Sequence, residues 1–346
     1  ADRNRSHWST SKTPSYTKSV SWQHHLFLFI LNILLFAIAL TSMKMGSLDI
    51  SYGEIIKGIL TNSTTGNFAI IKDLRFPRVI IAILVGGNLA ICGVLLQVVV
   101  KNPLADPGIT GISAGASLVA ILIMVLFPQL NSMKSLLAFG GGLISACLVF
   151  SIAYDKGFSP LRIILAGVAI NAMLSAMSSI LTTINSNGVS SVTNWLNGSL
   201  ATVTWSDVKM LFIYSLIGVL ISFTLRQTCN LMSLGDKTAK SLGVDIHKQR
   251  IIISAVAVFL ASISTGVAGI ISFVGLIVPH IGRFIIGSDH KYLIPFSFTM
   301  GSILLLIADT IGRCLFTPYE IPVGLVMSVI GGPFFIFLLR RSMKKC

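Results

Sequence analysis

The chain has 346 residues, of which 53% are hydrophobic and only 11% are charged, and its mean hydropathy is +0.85. These values exclude a soluble domain and predict an all-α polytopic membrane protein, because a helix satisfies every backbone polar group within one apolar segment. The net charge of +14 sits at segment ends and in the tails, as the positive-inside rule requires, so it does not indicate nucleic-acid binding.

Ten apolar segments are predicted to cross the membrane. In chain order they are Leu26–Met43, Val79–Val100, Ile112–Phe127, Ser135–Tyr154, Leu161–Ile184, Val208–Leu225, Ile251–Ala268, Ile270–Ile286, Leu293–Ile311 and Ile321–Leu339. The split at Gly269 is the least distinct of these boundaries, because apolar residues flank the glycine on both sides. A signal peptide is the alternative for the first segment, but no small-residue cleavage site follows it.

The domain organisation follows from these segments. Residues 1–25 are predicted to be a disordered, basic cytoplasmic tail, residues 26–340 the transmembrane domain, and residues 341–346 a short cytoplasmic tail. With both termini inside, the inner segments hold 18 of the 26 Lys and Arg residues, which supports this orientation. The frequent glycines within the segments, such as Gly86, Gly93 and the Gly111xxxGly115 pair, predict close helix–helix contacts.

The predicted inner loop at residues 226–250 has a pattern of its own. Asp236 can cap a short helix and Gly243 can end it. The residues that could share one apolar side of this helix are Leu234, Ala239 and Leu242. Such a helix can rest on anionic lipid headgroups or insert into a partner protein, and the pattern alone leaves both alternatives open.

Groups that carry out catalysis are absent from the sequence. It contains no GxxxxGK[ST] phosphate loop, no HExxH and no GxSxG, and the five cysteines form no CxxC pair. Asp309 is the one acid within the predicted segments, whereas an ion-driven secondary transporter usually needs several buried ionisable residues. An integral-membrane enzyme would need a nucleophile or a metal site. The sequence therefore predicts a transport protein without catalytic residues, cofactor or metal, whose energy comes from elsewhere.

Several longer motifs resemble one known family. Residues 86–117 read GGNLAICGVLLQVVVKNPLADPGITGISAGAS, and Arg75–Arg78 reads RFPR. Together they resemble the signature of the FecCD-type permeases, the membrane subunits of ABC importers for iron-siderophores, haem and cobalamin. Further similar motifs are WLNGSL at 195–200, the two Leu-Gly pairs at 234–235 and 242–243, GIISFVGLIVPHIGR at 269–283, residues 308–313 and EIPVG at 320–324.

The resemblance implies a type II ABC importer permease fold with ten spans, in a bacterial cytoplasmic membrane. It also implies a second permease subunit, identical or paralogous, a cytoplasmic ABC ATPase dimer, and an extracytoplasmic binding protein that delivers the cargo. An iron-siderophore is the favoured cargo, with haem or cobalamin as the alternatives. The ATPase site would lie in a separate subunit.

Three sets of functional residues are implied by the resemblance. The contact with the ATPase would be made by Leu234, Gly235, Ala239, Leu242 and Gly243. Docking of the binding protein would use Arg75, Arg78 and Arg313, for which the alternative is a role as anchors that pair with Asp73 or Asp309. The translocation pathway would be lined by Ala169, Asn171, Ala172, Ser175, Ala176 and Ser179, for which the alternative is plain helix packing.

Overall fold

The computed structural model describes residues 14–46, 53, 71–154, 160–184, 189–315 and 319–343. Within these ranges the chain forms α-helices joined by short turns, and no β-strand occurs there. The parts of the predicted tails at residues 1–13 and 344–346 lie outside the described residues.

Thirteen α-helices occur within the described ranges. They are α1 Pro14–Lys44, α2 Phe76–Val100, α3 Ile112–Leu126, α4 Lys134–Ala153, α5 Pro160–Ile184, α6 Val189–Leu196, α7 Trp205–Thr224, α8 Arg226–Ser233, α9 Asp236–Ser241, α10 Ile246–Ala268, α11 Val274–Ile286, α12 His290–Cys314 and α13 Val323–Met343. A π-helical turn at Ile71–Arg75 leads into α2, and 3-10 turns at Pro107–Thr110 and Pro128–Met133 precede α3 and α4.

The predicted all-helical membrane fold is confirmed. Seven helices of the described part of the chain are long and apolar enough to cross a membrane, and α3, α11 and α13 are shorter apolar helices. These ten helices correspond one to one with the ten predicted segments, whereas α6, α8 and α9 lie between them.

The first helix is longer than predicted. It begins at Pro14, so the prediction of disorder is wrong for residues 14–25. Proline is well suited to the first position of a helix, and no glycine or further proline interrupts the chain between it and Lys44. The polar residues therefore continue the same helix that enters the membrane.

The predicted break at Gly269 is present, but the following helix starts later than expected. Gly269 has φ +74°, and a Cβ atom added there would lie 2.0 Å from the carbonyl oxygen of Trp195, so only glycine fits. Helix α11 begins at Val274 and not at Ile270, since Phe273 also has a positive φ of 70°. Irregular backbone is tolerated at membrane depth when protein covers it, and Ile271 is buried.

Helix α2 lies at the centre of the bundle, with α1, α7, α10, α11 and α12 packed around it. A Cβ atom on Gly86 would lie 2.3 Å from the carbonyl oxygen of Gly301 on α12. A Cβ atom on Gly93 would lie 1.9 Å from the carbonyl oxygen of Gly275 on α11. The prediction that these glycines allow close helix contacts is confirmed.

Candidate functional site

The predicted inner loop folds into two short helices, α8 and α9, between the ends of α7 and α10. The expected helix is therefore present at Asp236–Ser241. Gly243 ends it as predicted, since its φ is +84° and its N–H donates to the carbonyl oxygen of Lys240 at 3.0 Å.

The side on which the apolar residues lie differs from the prediction. Leu234 and Leu242 are 60% and 56% exposed, whereas Ala239 is fully buried. The prediction that these three residues share one apolar side is wrong, because the two leucines flank α9 and do not lie within it. Gly235 has φ +102° and separates Leu234 from the helix, so helical spacing does not hold across it.

Asp236 does not cap α9, because Gly235 takes the capping position. The Asp236 carboxylate instead pairs with Lys101 Nζ at 2.7 Å and with Arg250 Nη2 at 3.0 Å. Burial raises the pKa of this carboxyl, but the Lys101 hydrogen bond and the charges of Arg250 and Lys101 outweigh it, so the pKa lies below its ordinary value. These pairs attach α9 to the end of α2 and to the first turns of α10.

Helix α8 is attached to a different part of the bundle. Asn230 Nδ2 donates to Asp289 Oδ1 at 2.8 Å, and Asn230 Oδ1 accepts from the backbone N–H of His290 at 2.9 Å. Asp289 and His290 form the start of α12. The loop is thus connected to both α2 and α12, the two helices that meet at Gly86 and Gly301.

A polar cavity of about 310 Å³ lies between α3 and α5. Its hydroxyl and amide groups belong to Ser113, Ser117, Asn171, Ser175, Ser178, Ser179 and Thr182. Asn171 Nδ2 donates to the carbonyl oxygen of Gly108 at 2.7 Å, which orients the amide. The hydroxyl of Ser178 is buried and, within the described part of the chain, has no hydrogen-bond partner.

The structure brings half of the predicted pathway residues together. Asn171, Ser175 and Ser179 line the cavity. The predicted residues that are exposed on α5 but lie outside the lining are Ala169, Ala172 and Ala176. The prediction missed Ser113 and Ser117 on α3, although their spacing of four residues places both on one face of a helix. The role of all six residues in translocation stays a prediction.

The three arginines at the other end of the bundle are buried, with only 7–8% of each residue exposed. Arg78 Nε donates to both carboxylate oxygens of Asp309 at 3.1 Å, and Arg78 Nη1 donates to Glu320 at 2.7 Å. Arg313 Nε lies 3.3 Å from the same Asp309 carboxylate. The carboxylate thus lies between two guanidinium groups.

Two of these arginines, Arg75 and Arg313, also cover the end of α1. Arg75 Nη1 donates to the carbonyl oxygens of Met43 at 2.8 Å and Lys44 at 3.1 Å, and Arg313 Nη2 donates to that of Ser42 at 2.9 Å. The last carbonyls of a helix have no partner inside it and attract cations. A docking socket needs an exposed guanidinium, so this burial favours the anchor alternative, while docking itself stays a prediction.

A bundle of ten apolar helices that encloses a hydroxyl-lined cavity is typical of a polytopic membrane transport protein. The FecCD transport family matches residues 33–341, so the chain belongs to this family.

Two relatives that are named as iron-transport permeases are similar to this chain in sequence. The chain is 37% identical to the Fe(3+)-citrate import system permease protein YfmD of Bacillus subtilis, over 92% of this chain and 95% of the relative. It is also 37% identical to the haem-iron transport system permease protein IsdF of Staphylococcus aureus, over 92% of this chain and 96% of the relative.

Solved structures agree with the fold. A protein described as a metal-chelate type ABC transporter, in an inward-facing conformation, matches with a TM-score of 0.78 at 29% identity, over 91% of this chain and 99% of the other. PsaBC from Streptococcus pneumoniae matches with a TM-score of 0.58 at 19% identity, over 83% and 95% of the two chains, which supports the fold alone.

Cysteine labelling can test whether water reaches the α3–α5 cavity. In a cysteine-free background, Ser175→Cys and Ser179→Cys are expected to react with a membrane-impermeant thiol reagent, since both line the cavity. Leu174→Cys, whose side chain is buried in the core beside them, is the matched control and is expected to stay unreacted. Complete protection of both serine positions in every nucleotide state would contradict a water-accessible cavity.

The anchor role of Arg78 can be tested separately from docking by measuring the melting temperature of the permease without its binding protein. Arg78→Gln is expected to lower its melting temperature in detergent, because breaking a buried ion pair costs about 3–5 kcal/mol. In combination with Asp309→Asn the loss should be less than additive, since the two side chains share one interaction. Lys209→Gln changes an exposed lysine and should have no effect. An unchanged melting temperature in Arg78→Gln would contradict the anchor role.

Proposed function

We propose that the chain is the membrane-spanning permease subunit of an ABC importer that carries an iron chelate into a bacterial cell. An iron-siderophore is the favoured cargo, delivered by an extracytoplasmic binding protein and driven by a separate cytoplasmic ATPase dimer. Family membership supports the transport role, and the names of the relatives support iron. Haem is the second candidate, because the relative named for haem-iron transport is as similar as the one named for Fe(3+)-citrate.

The observation that carries this proposal is the α8–α9 loop. Leu234 and Leu242 are exposed on either side of α9, at the end of the bundle that the charge asymmetry places in the cytoplasm. Exposed leucines beside a short helix suit an apolar groove on a partner protein. We infer that the ATPase provides this groove and that a second permease, identical or paralogous, completes the membrane part.

A route for energy transfer follows from the contacts of this loop. Displacement of α9 would move Asp236 and with it Lys101, at the end of α2. Helix α2 cannot slide independently of α12, because their backbones touch at Gly86 and Gly301. Nucleotide binding in the ATPase would in this way favour one of two arrangements of the bundle.

The α3–α5 cavity is the proposed route for the cargo. Its serine, threonine and asparagine side chains offer weak hydrogen bonds and no fixed charge, which suits a passage that must release what it binds. The neighbouring exposed residues Ala169, Ala172 and Ala176 would extend this route towards the second permease.

The contact with the ATPase can be tested with Leu234→Asp and Leu242→Asp. Both variants are expected to insert normally and to lose ATPase co-purification and uptake, since a buried carboxylate in the contact costs a few kcal/mol. Ala239→Arg serves as a contrast, because this fully buried residue should lower the stability of the permease itself. If both leucine variants keep the ATPase and transport at the normal rate, α9 is not the contact.

The cargo can be identified with the reconstituted complex. ATPase activity is measured with the cognate binding protein loaded in turn with a ferric siderophore, Fe(3+)-citrate, haem or cobalamin. We expect stimulation by an iron chelate. Stimulation by haem alone would assign haem as the cargo, and a permease that transports without any ATPase would contradict the proposal.

A further inference from the structure

A second cavity, of about 560 Å³, lies at the end of the bundle opposite the α8–α9 loop. It is bounded by the turn before α4, by α6 and by the segment that leads into α7, and it shares no lining residue with the α3–α5 cavity. Its volume falls within the range of about 300–1,000 Å³ that is usual for small-molecule sites. Its lining includes one cation, Lys134, and one buried aromatic donor, Trp195.

The indole of Trp195 provides a donor without a partner. The residue is only 6% exposed, and its Nε1–H forms no hydrogen bond within the described part of the chain. The main chain of Trp195 is fixed, because its carbonyl accepts from the N–H of Gly198 at 3.0 Å and Gly269 packs directly against that carbonyl. The side chain packs in a cluster with Ala116, Ala120 and Ala138. A buried donor left unpaired is costly, so a ligand oxygen that accepts from it would be stabilised.

Lys134, the first residue of α4, provides a positive charge in the same cavity. Asp207 also lines the cavity, but its carboxylate is already occupied. It accepts from Ser135 Oγ at 3.0 Å and from the backbone N–H and hydroxyl of Thr204 at 3.0 and 2.8 Å. Among the described residues, Lys134 forms no side-chain hydrogen bond or ion pair, although the charge of Asp207 acts on it from a longer distance, so its N–H groups can serve a ligand.

The remaining polar groups of the lining are mostly hydroxyls, which can donate as well as accept. They belong to Ser132, Ser191, Ser199, Thr202 and Ser206. Besides the Asp207 carboxylate, whose oxygens already accept hydrogen bonds, the described lining offers one cation, one orphaned N–H and several hydroxyls, and this set of donors suits a ligand that is rich in acceptor oxygens, such as a carboxylate.

We propose that this cavity binds a carboxylate-bearing organic anion, with carboxylate oxygens accepting hydrogen bonds from Lys134 Nζ and Trp195 Nε1. A lipid phosphate could offer similar oxygens, so the test separates the two sources. The proposal does not depend on the identity of the cargo, because binding is measured on the permease alone.

The test uses the full chain in nanodiscs of neutral phosphatidylcholine, titrated calorimetrically with citrate. Citrate is expected to bind, and Lys134→Met should weaken binding about tenfold or more, because a charge-assisted hydrogen bond is lost. Trp195→Phe keeps an aromatic ring, removes the N–H and should weaken binding several-fold. Lys209→Met, at an exposed lysine outside the cavity, is the matched control and should bind as the unchanged chain does.

Two further measurements show whether each variant is folded and whether the ligand is a carboxylate or a phosphate. The melting temperature of each variant without citrate shows whether it is folded, and if Trp195→Phe is unstable, Lys134→Met alone decides. Inorganic phosphate and nanodiscs containing phosphatidylglycerol are tested in parallel. Absence of citrate binding, equal binding by all variants, or binding of phosphate but not citrate would overturn the proposal.

Discussion

Helix α2 is held at both ends by ion pairs and along its length by backbone contacts that only glycine allows. At one end Arg78 pairs with the buried carboxylate of Asp309, and at the other Lys101 pairs with Asp236. The Arg78–Asp309 pair is buried, and breaking it would leave an unpaired buried charge, so it holds α2 against α12, whereas the partly exposed Lys101–Asp236 pair links α2 to the loop. Because α2 touches most of the other described helices, its position affects where the α8–α9 loop and the arginines lie.

The close approach of α2 and α12 makes the two helices one mechanical unit. Their backbones meet at Gly86 and Gly301, where any side chain would have to displace the partner helix. Asn230 joins the start of this unit to α8, and Asp236 joins it to α9. In the proposed mechanism a movement at the ATPase therefore reaches the far end of the bundle through contacts that cannot easily deform.

The two cavities differ in a way that matches the two roles proposed for them. The polar groups that line the α3–α5 cavity are hydroxyls and one amide, with no cation among the described lining residues, and such groups would bind weakly enough to release a cargo. The second cavity contains Lys134, the hydrogen-bonded carboxylate of Asp207 and an N–H of Trp195 that has no partner among the described residues, and the proposed role of its two donors is to hold an organic anion. In these two proposals, passage and retention occupy separate parts of the chain.

The sequence by itself determined the ten apolar helices, the break at Gly269 and the end of α9 at Gly243, because hydropathy and backbone freedom are local properties. Its longer motifs were sufficient to recognise the family. Only the tertiary structure decided that Ala239 is buried, that Asp236 pairs with Lys101, and that the outer arginines cover the end of α1. These features depend on which helices become neighbours. Pairing and burial between segments far apart in the chain leave no local pattern in the sequence.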